Sequence, residues 1–236
     1  MPSMPGLLAT ITEKSFGHRA AVTAAERISP HFLTVDLRVE PLKSGWKAGQ
    51  DIQFRIDNNT FRHYSVMAVD EAGTAISVLF HLGADGPGSR WAAALDVGRE
   101  VVVLGMNTPV PSRQGNHLYL GDGSAVGTIR GLVNRAAGQD THGPASGAVE
   151  APVEDRSALV DLLPGIEILP AATIPGAAVA EWIEATLDEA VRYDAASLFG
   201  HAQSIQRQRR ILLTRAGLAR KAISTKPYWA TGKTGL

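Results

Sequence analysis

Apolar and polar residues alternate along the first part of the chain with the two-residue period of half-buried strands. Phe32-Leu33-Thr34-Val35-Asp36-Leu37-Arg38-Val39 places Leu33, Val35, Leu37 and Val39 on one face. Ala20–Ile28 alternates more loosely before the Ser29-Pro30 break. Short runs at Asp51–Asp57, His63–Val69, Ala75–Leu82 and Glu100–Leu104 follow, with Gly, Asn and Asp between them. This rhythm predicts a barrel or sandwich of strands over residues 1–110. One helical segment interrupts it, Gly88–Leu95, entered through Gly86-Pro87.

The period changes after the breaker-rich stretch Asn107–Asn116. His117-Leu118-Tyr119-Leu120 reads as a short buried strand ending in Gly121-Asp122-Gly123. Ser124–Ala137 then has helical spacing through Val126, Ile129, Leu132, Val133 and Ala136. A loop at Gln139–Ala145 precedes a strand at Gly147–Pro152. A helix at Asp155–Leu163, a strand at Ile166–Leu169 and a helix at Ala177–Val191 follow. The chain closes with a strand at Ala195–Gly200, a basic helix at Ser204–Ala216 and a last strand at Arg220–Ser224. Strands alternating with helices predict a parallel-sheet α/β domain over residues 111–236.

Composition narrows the chemistry. The chain has 236 residues, enough for two small domains. Lysine plus arginine equals aspartate plus glutamate at 23 each, so no global attraction to nucleic acid is indicated, although a local basic patch is compatible with that sum. Cysteine is absent, which removes disulfides, thiolate metal sites and cysteine nucleophiles together. The seven histidines include no H-x-H or H-x-x-x-H spacing, so no resident metal is expected. No stretch is long and apolar enough to span a membrane, and Met1–Leu8 does not read as a signal peptide; a cytoplasmic protein is expected.

Four segments carry chemistry. In Arg62-His63-Tyr64-Ser65, a strand would turn Arg62 and Tyr64 to one side and Ser65 to the other. A flavin needs a cation for its pyrophosphate, a flat apolar surface for its ring and a hydrogen-bonding group near its redox nitrogen. Taken alone, the same four residues also fit an ordinary half-exposed strand. In His81–Ala92 a glycine-rich turn, Gly86-Pro87-Gly88-Ser89, leads into a helix whose first N–H groups would face an anion; the plain alternative is a loop closing onto a helix with Trp91 in the core. Leu118–Gly127 is a strand, a glycine turn and a helix, the plan of a nucleotide crevice. Its G-x-G-x-x-G spacing begins at Gly121 and Gly123 but fails at Val126. The C-terminal Lys226-Pro227-Tyr228-Trp229 sets two large aromatic residues side by side, which calls for a surface to cover them.

In this order, R-x-Y-S, G-P-G-S-R-W-A, G-D-x-S-A and Y-W-x-x-G resemble the siderophore-interacting protein family of ferredoxin-reductase-like flavoenzymes, over roughly residues 15–236. The resemblance implies a Greek-key β-barrel that binds FAD, followed by an α/β domain that receives NAD(P)H or faces another donor, with ferredoxin as the protein alternative. It implies reduction of ferric siderophore and release of Fe(II). Carried over by residue, Arg62 would meet the FAD phosphates, with His63 beside it. Tyr64 would flank the isoalloxazine and Ser65 would bond near its N5. Gly86, Gly88 and Ser89 would take the pyrophosphate, with His81 near. Asp122, Ser124 and Ala125 match the family's G-D-E-T-A pattern, with Gly123 for glutamate and Ser124 for threonine. Where the family usually reads G-E, this chain reads Gly200-His201. Lys226 and Lys233, with Lys47 and Arg55, are expected to attract an anionic chelate. By the same resemblance Tyr228 or Trp229 would approach the flavin. Two other readings stay open: a flavin- or siderophore-binding protein with a decayed nucleotide domain, and a flavin reductase whose partner is a protein.

Overall fold

The computed structural model describes residues 17–83, 85–105, 115–137, 145–186 and 193–233. The expected breaker stretch, the loop after residue 138 and the end of the helix placed at Ala177–Val191 fall wholly or partly outside them. The chain divides into two compact units. One takes Met1–Pro111 with Arg130–Arg135; the other takes Ser112–Ile129 with Ala136–Leu236.

In the first unit β1 (Gly17–Ser29), β2 (Phe32–Val39), β3 (Asp51–Arg55), β4 (Phe61–Val69), β5 (Ala75–His81) and β6 (Glu100–Gly105) close into an antiparallel barrel, in the order β1-β2-β5-β4-β3-β6. Strands β3, β4 and β5 follow one another as hairpins and β2 returns beside β5, which is a Greek key. The ring closes where β6 pairs with both β1 and β3, leaving no open edge among these strands. The alternation of β2 holds: Leu33, Val35, Leu37 and Val39 are all buried. β1 alternates loosely because its register with β2 shifts between Val22 and Ala24 and again between Arg27 and Ser29, and each bulge resets which face a residue meets. Asp70 fixes the β4–β5 hairpin by accepting from the backbone N–H groups of Thr74 and Ala75 and from the Thr74 hydroxyl. Inside, Phe54, Phe80 and Tyr64 gather with Trp91 of α1 (Pro87–Ala93); the Phe54 and Trp91 ring centroids lie 5.1 Å apart.

In the second unit β7 (His117–Asp122), β8 (Ser146–Ala151), β9 (Ile166–Pro170), β10 (Ala195–His201) and β11 (Ile223–Trp229) form a parallel sheet in the order β11-β10-β7-β8-β9. Helices α2 (Val126–Ala137), α3 (Arg156–Leu162), α4 (Ala177–Thr186) and α5 (Ala202–Thr214) connect the strands. All seven residues of β10 are buried, as a central parallel strand requires. The winding reverses between β7 and β10, so the carboxyl ends of those two strands define a switch-point crevice.

The last strand differs from the expected Arg220–Ser224. Residues Arg220–Ala222 form a 3-10 turn, closed by the Ala222 N–H on the Ala219 carbonyl at 2.8 Å, and the strand runs Ile223–Trp229. Lys226-Pro227 looks like a strand stop, yet β11 is an edge strand, and a proline there costs no ladder bond when its nitrogen faces outward. Tyr228 and Trp229 therefore lie in the strand and not in a tail after it. No helix among the described residues is long and apolar enough to cross a membrane.

Phe54 is 1 % exposed at the centre of the barrel's aromatic group. Truncation to alanine should cost about 3–5 kcal/mol of barrel stability. Val97, 68 % exposed, should tolerate the same change within about 0.5 kcal/mol. Urea denaturation of both variants checks the contrast.

Candidate functional site

Two of the four segments meet in the barrel unit. Arg62 and Tyr64 point to the same side of β4, and α1 brings Gly88 against them. A Cβ built at Gly88 would stand 2.9 Å from the Tyr64 hydroxyl and 3.3 Å from Arg62 Cγ. Any side chain at residue 88 would have to displace the Tyr64 hydroxyl and crowd the Arg62 stem. Gly86 is the extended residue before α1 and makes no side-chain cap, and Pro87 opens the helix without an N–H to satisfy. Ser89 is half-buried in the first turn. Groups that could hold a pyrophosphate are thus close together: the first N–H groups of α1, a glycine with no side chain in the way, and the Arg62 side chain packed beside it. Arg62 Nη1 also donates to its neighbour's carbonyl, Phe61 O, at 2.9 Å.

Burial pushes the Tyr64 hydroxyl up to about 12, against the opposing pull of the Arg62 charge. Tyr64 is therefore a neutral phenol at physiological pH, with its ring 4.5 Å from Phe80. Ser65 lies on the other side of β4 and is buried. His63 faces the cross-strand Gln53, whose Nε2 contacts the His63 ring. His81 stacks obliquely on Phe32 at 4.9 Å, and a Cβ at Gly83 would stand 2.6 Å from its Nε2, so the turn leaving β5 folds over that ring.

The third and fourth segments meet in the second unit, at the switch-point crevice. Asp122 ends β7 and is an acceptor on both oxygens. Oδ1 takes the Ser124 N–H at 2.9 Å and the Ser124 hydroxyl; Oδ2 takes the His201 N–H at 2.8 Å and the Trp229 indole N–H at 2.9 Å. One carboxylate thereby joins the ends of β7, β10 and β11. Gly200, at φ +99°, is shaped by the same group: a Cβ there would collide with the Asp122 carboxylate. Ala125 is fully buried beneath this turn.

His201 is buried under the Trp229 ring, centroid to centroid 4.3 Å. The Ser204 hydroxyl donates to the Pro175 carbonyl at 2.6 Å, so it accepts from His201 Nδ1–H at 2.7 Å. His201 Nε2 then accepts from the Thr231 hydroxyl at 2.9 Å. This network assigns the Nδ1–H tautomer. Tyr228 shares a 2.7 Å hydrogen bond with Thr128, and the Lys226 ammonium lies 5.7 Å from the Tyr228 ring centroid. Lys233 is exposed just beyond Thr231.

Glu150, which ends β8, was not singled out in the sequence. It is 4 % exposed and accepts from the Gly176 N–H at 2.7 Å and the Val179 N–H at 3.1 Å, at the start of α4. Gly176 has φ +75°, and a Cβ there would strike Ser204. An acidic residue inside an apolar strand, followed by Pro152, is the signal that marks it. Its partners lie 26 and 29 residues away, and no spacing rule reaches that far. Burial pushes the Glu150 carboxyl up, the α4 N–H groups pull it down, and the Asp122 charge adds to the rise.

Neither a protein-family model nor a curated protein matches the sequence. Solved structures match its fold. A siderophore utilization protein from T. fusca shares 21% identity with a TM-score of 0.75, over 93% of this chain and 95% of the other. The siderophore-interacting protein from Aeromonas hydrophila shares 19% at a TM-score of 0.73, over 92% of each chain. The ferredoxin reductase of carbazole 1,9a-dioxygenase shares 18% at 0.71, over 90% of this chain and 69% of the other. The barrel followed by a parallel α/β unit is the layout they have in common with this chain.

Glu150 supplies a pH test. A carboxyl whose folded-state pKa is raised contributes stability that is fully present below the unfolded-state value of 4.5 and is lost as pH rises through the raised value. Glu150→Gln keeps one acceptor oxygen and removes the titration. Melting temperatures should fall faster with rising pH in the wild type than in Glu150→Gln over that window. Parallel pH profiles would reject the assignment.

Proposed function

We propose that the chain is an FAD-dependent oxidoreductase that reduces Fe(III) held by a siderophore and releases Fe(II), in the cytoplasm. The observation that carries this reading is the close approach of Gly88 to Arg62 and Tyr64. It sets the Arg62 side chain, a half-buried neutral phenol and the glycine-rich start of α1 around one place in the barrel unit. The fold shared with proteins described as siderophore-interacting and siderophore utilization proteins supports the choice of substrate.

Arg62 would hold the pyrophosphate of FAD with Gly86, Gly88 and Ser89. Tyr64 would flank the isoalloxazine, Ser65 would donate near N5, and His63 and His81 would complete the surroundings. A bound flavin supplies the exchange between two-electron donors and a one-electron acceptor such as Fe(III). The side chains then have no proton to abstract from the iron chelate, which suits a site without an acid–base pair. Asp122, Ser124 and Ala125 would shape the entry of NAD(P)H at the switch-point crevice. Lys226 and Lys233 would raise the encounter rate with an anionic ferric chelate.

One observation favours a second reading for the donor. Both Asp122 oxygens are taken by the chain's own donors, and Trp229 lies over the crevice on His201. A reduced protein such as a ferredoxin would then replace NAD(P)H, and a binding protein without reductase activity is the limiting case.

The protein should purify yellow, with FAD and not FMN released on denaturation. Arg62→Ala should lower FAD affinity by about 1.5–3 kcal/mol, the worth of a charge-assisted hydrogen bond. Equilibrium dialysis measures it; unchanged affinity removes Arg62 from the site, and no bound flavin at all removes the reading. Anaerobic mixing with NADH or NADPH distinguishes the donors: bleaching of the flavin band supports a pyridine nucleotide, and bleaching only after a reduced ferredoxin is added supports the protein.

A further inference from the structure

The chain's basic residues are not evenly spread. Residues 195–236 contain eight of the 23 lysines and arginines and none of the 23 aspartates and glutamates. The remainder of this neutral chain is acidic to the same extent. Within the basic stretch, α5 carries Gln206, Arg209, Arg210 and Leu213 along one face, at the three- and four-residue spacing of a helical stripe. That face walls a groove of about 760 Å³, closed on its other side by Arg220 of the 3-10 turn and Thr225 of β11.

Among the described residues, Arg209, Arg210 and Arg220 enter no ion pair. Arg215, which pairs with Glu184 at 3.8 Å, lies outside the groove lining. Gathering like charges on one helix face and the turn beside it is unfavourable unless a counter-charge arrives. No acidic side chain lines the groove to supply it. The cations are arginines, whose planar forks bind carboxylate or phosphate oxygens two at a time. The stripe from Gln206 to Thr214 spans about 12 Å of helix, and the groove volume is that of a small-molecule site. A flat macromolecular surface would leave this concavity unfilled.

We propose that the groove between α5 and β11 is a binding site for a compact polyanion carrying at least two phosphate or carboxylate groups. The site belongs wholly to the second unit and does not depend on the flavin reading, so either can fail without the other.

Calorimetric titration of the full chain tests it, with pyrophosphate and citrate as separate probes at about 20 mM salt, where charge contacts are least screened. Saturable one-to-one binding of either probe is expected, weakened at least tenfold in Arg209→Ala/Arg210→Ala and largely kept in the double lysine variant. Preference for pyrophosphate assigns the site to phosphorylated ligands; preference for citrate assigns it to polycarboxylates. Arg210 and Arg220 are exposed, so Arg220→Ala, checked for an unchanged circular dichroism melt, gives an independent loss of binding if the double variant fails to fold. The proposal is overturned if neither probe saturates, if the alanine variants bind as the wild type does, or if only a poly-glutamate chain binds, which would point to an acidic protein instead.

Discussion

Closure of the six-stranded ring through β6 is the constraint on which the barrel unit depends. Once β6 pairs with β1 on one side and β3 on the other, every strand has a fixed inner and outer face. Val66 must point inward with Phe54 and Phe80, and the two-residue period then turns Tyr64 and Arg62 the same way along β4. The flat ring of Trp91 enters the same group from α1. That packing draws the start of α1 so close to β4 that a Cβ at residue 88 would crowd Tyr64 and Arg62. A hydrophobic requirement thus places a cation and a phenol beside a glycine-rich helix start. The chemistry of the proposed flavin site is a by-product of how the barrel end is filled.

The second unit is held at its crevice by carboxylate hydrogen bonds together with the packing of Trp229 on His201. In an open parallel sheet the carboxyl ends of the strands carry the ligand-binding turns, and the amide groups there need partners. Asp122 and Glu150 provide them from within the chain. Asp122 binds the turn before α2, the end of β10 and the indole of β11; Glu150 binds the start of α4. Two carboxylates of one sheet edge also feel each other, which contributes to the rise at Glu150. The amide donors of this crevice are thereby already committed to the chain's own carboxylates.

Much of this was legible in the sequence, but unevenly. The period-two pattern of Phe32–Val39 and the change to helical spacing after residue 117 rest on local rules, and they hold. The meeting of R-x-Y-S with G-P-G-S was an inference from motif order; the spacing between the two segments does not specify it. The last strand was bounded too early, because Pro227 looks like a stop unless the strand is known to lie at a sheet edge, which is a property of topology. His201 looked like a departure from a motif. Its bonds to Ser204 and Thr231 show a residue with a complete structural role, a fact carried by contacts 3 and 30 residues away. Glu150 was missed for the same reason: what makes a buried acid tolerable is a helix start brought beside it by the fold.

The net charge of zero was the least informative number in the composition, because summation over the chain cancels a division that position reveals. A chain whose last 42 residues hold no acid and eight bases carries a division of charge along its sequence that its isoelectric point does not report. Such a division is costly to build, since neighbouring arginines repel and fold no tighter for it. The cost falls mostly on exposed side chains of α5 and the turn after it, where water screens the repulsion, and hardly on the core. The inner face of the same helix carries Ile205 and Leu212, both buried against the sheet. One helix therefore serves two demands: Ile205 and Leu212 hold the fold, with Ile205 at the margin of the groove, and the exposed Arg210 carries charge that the fold itself does not need.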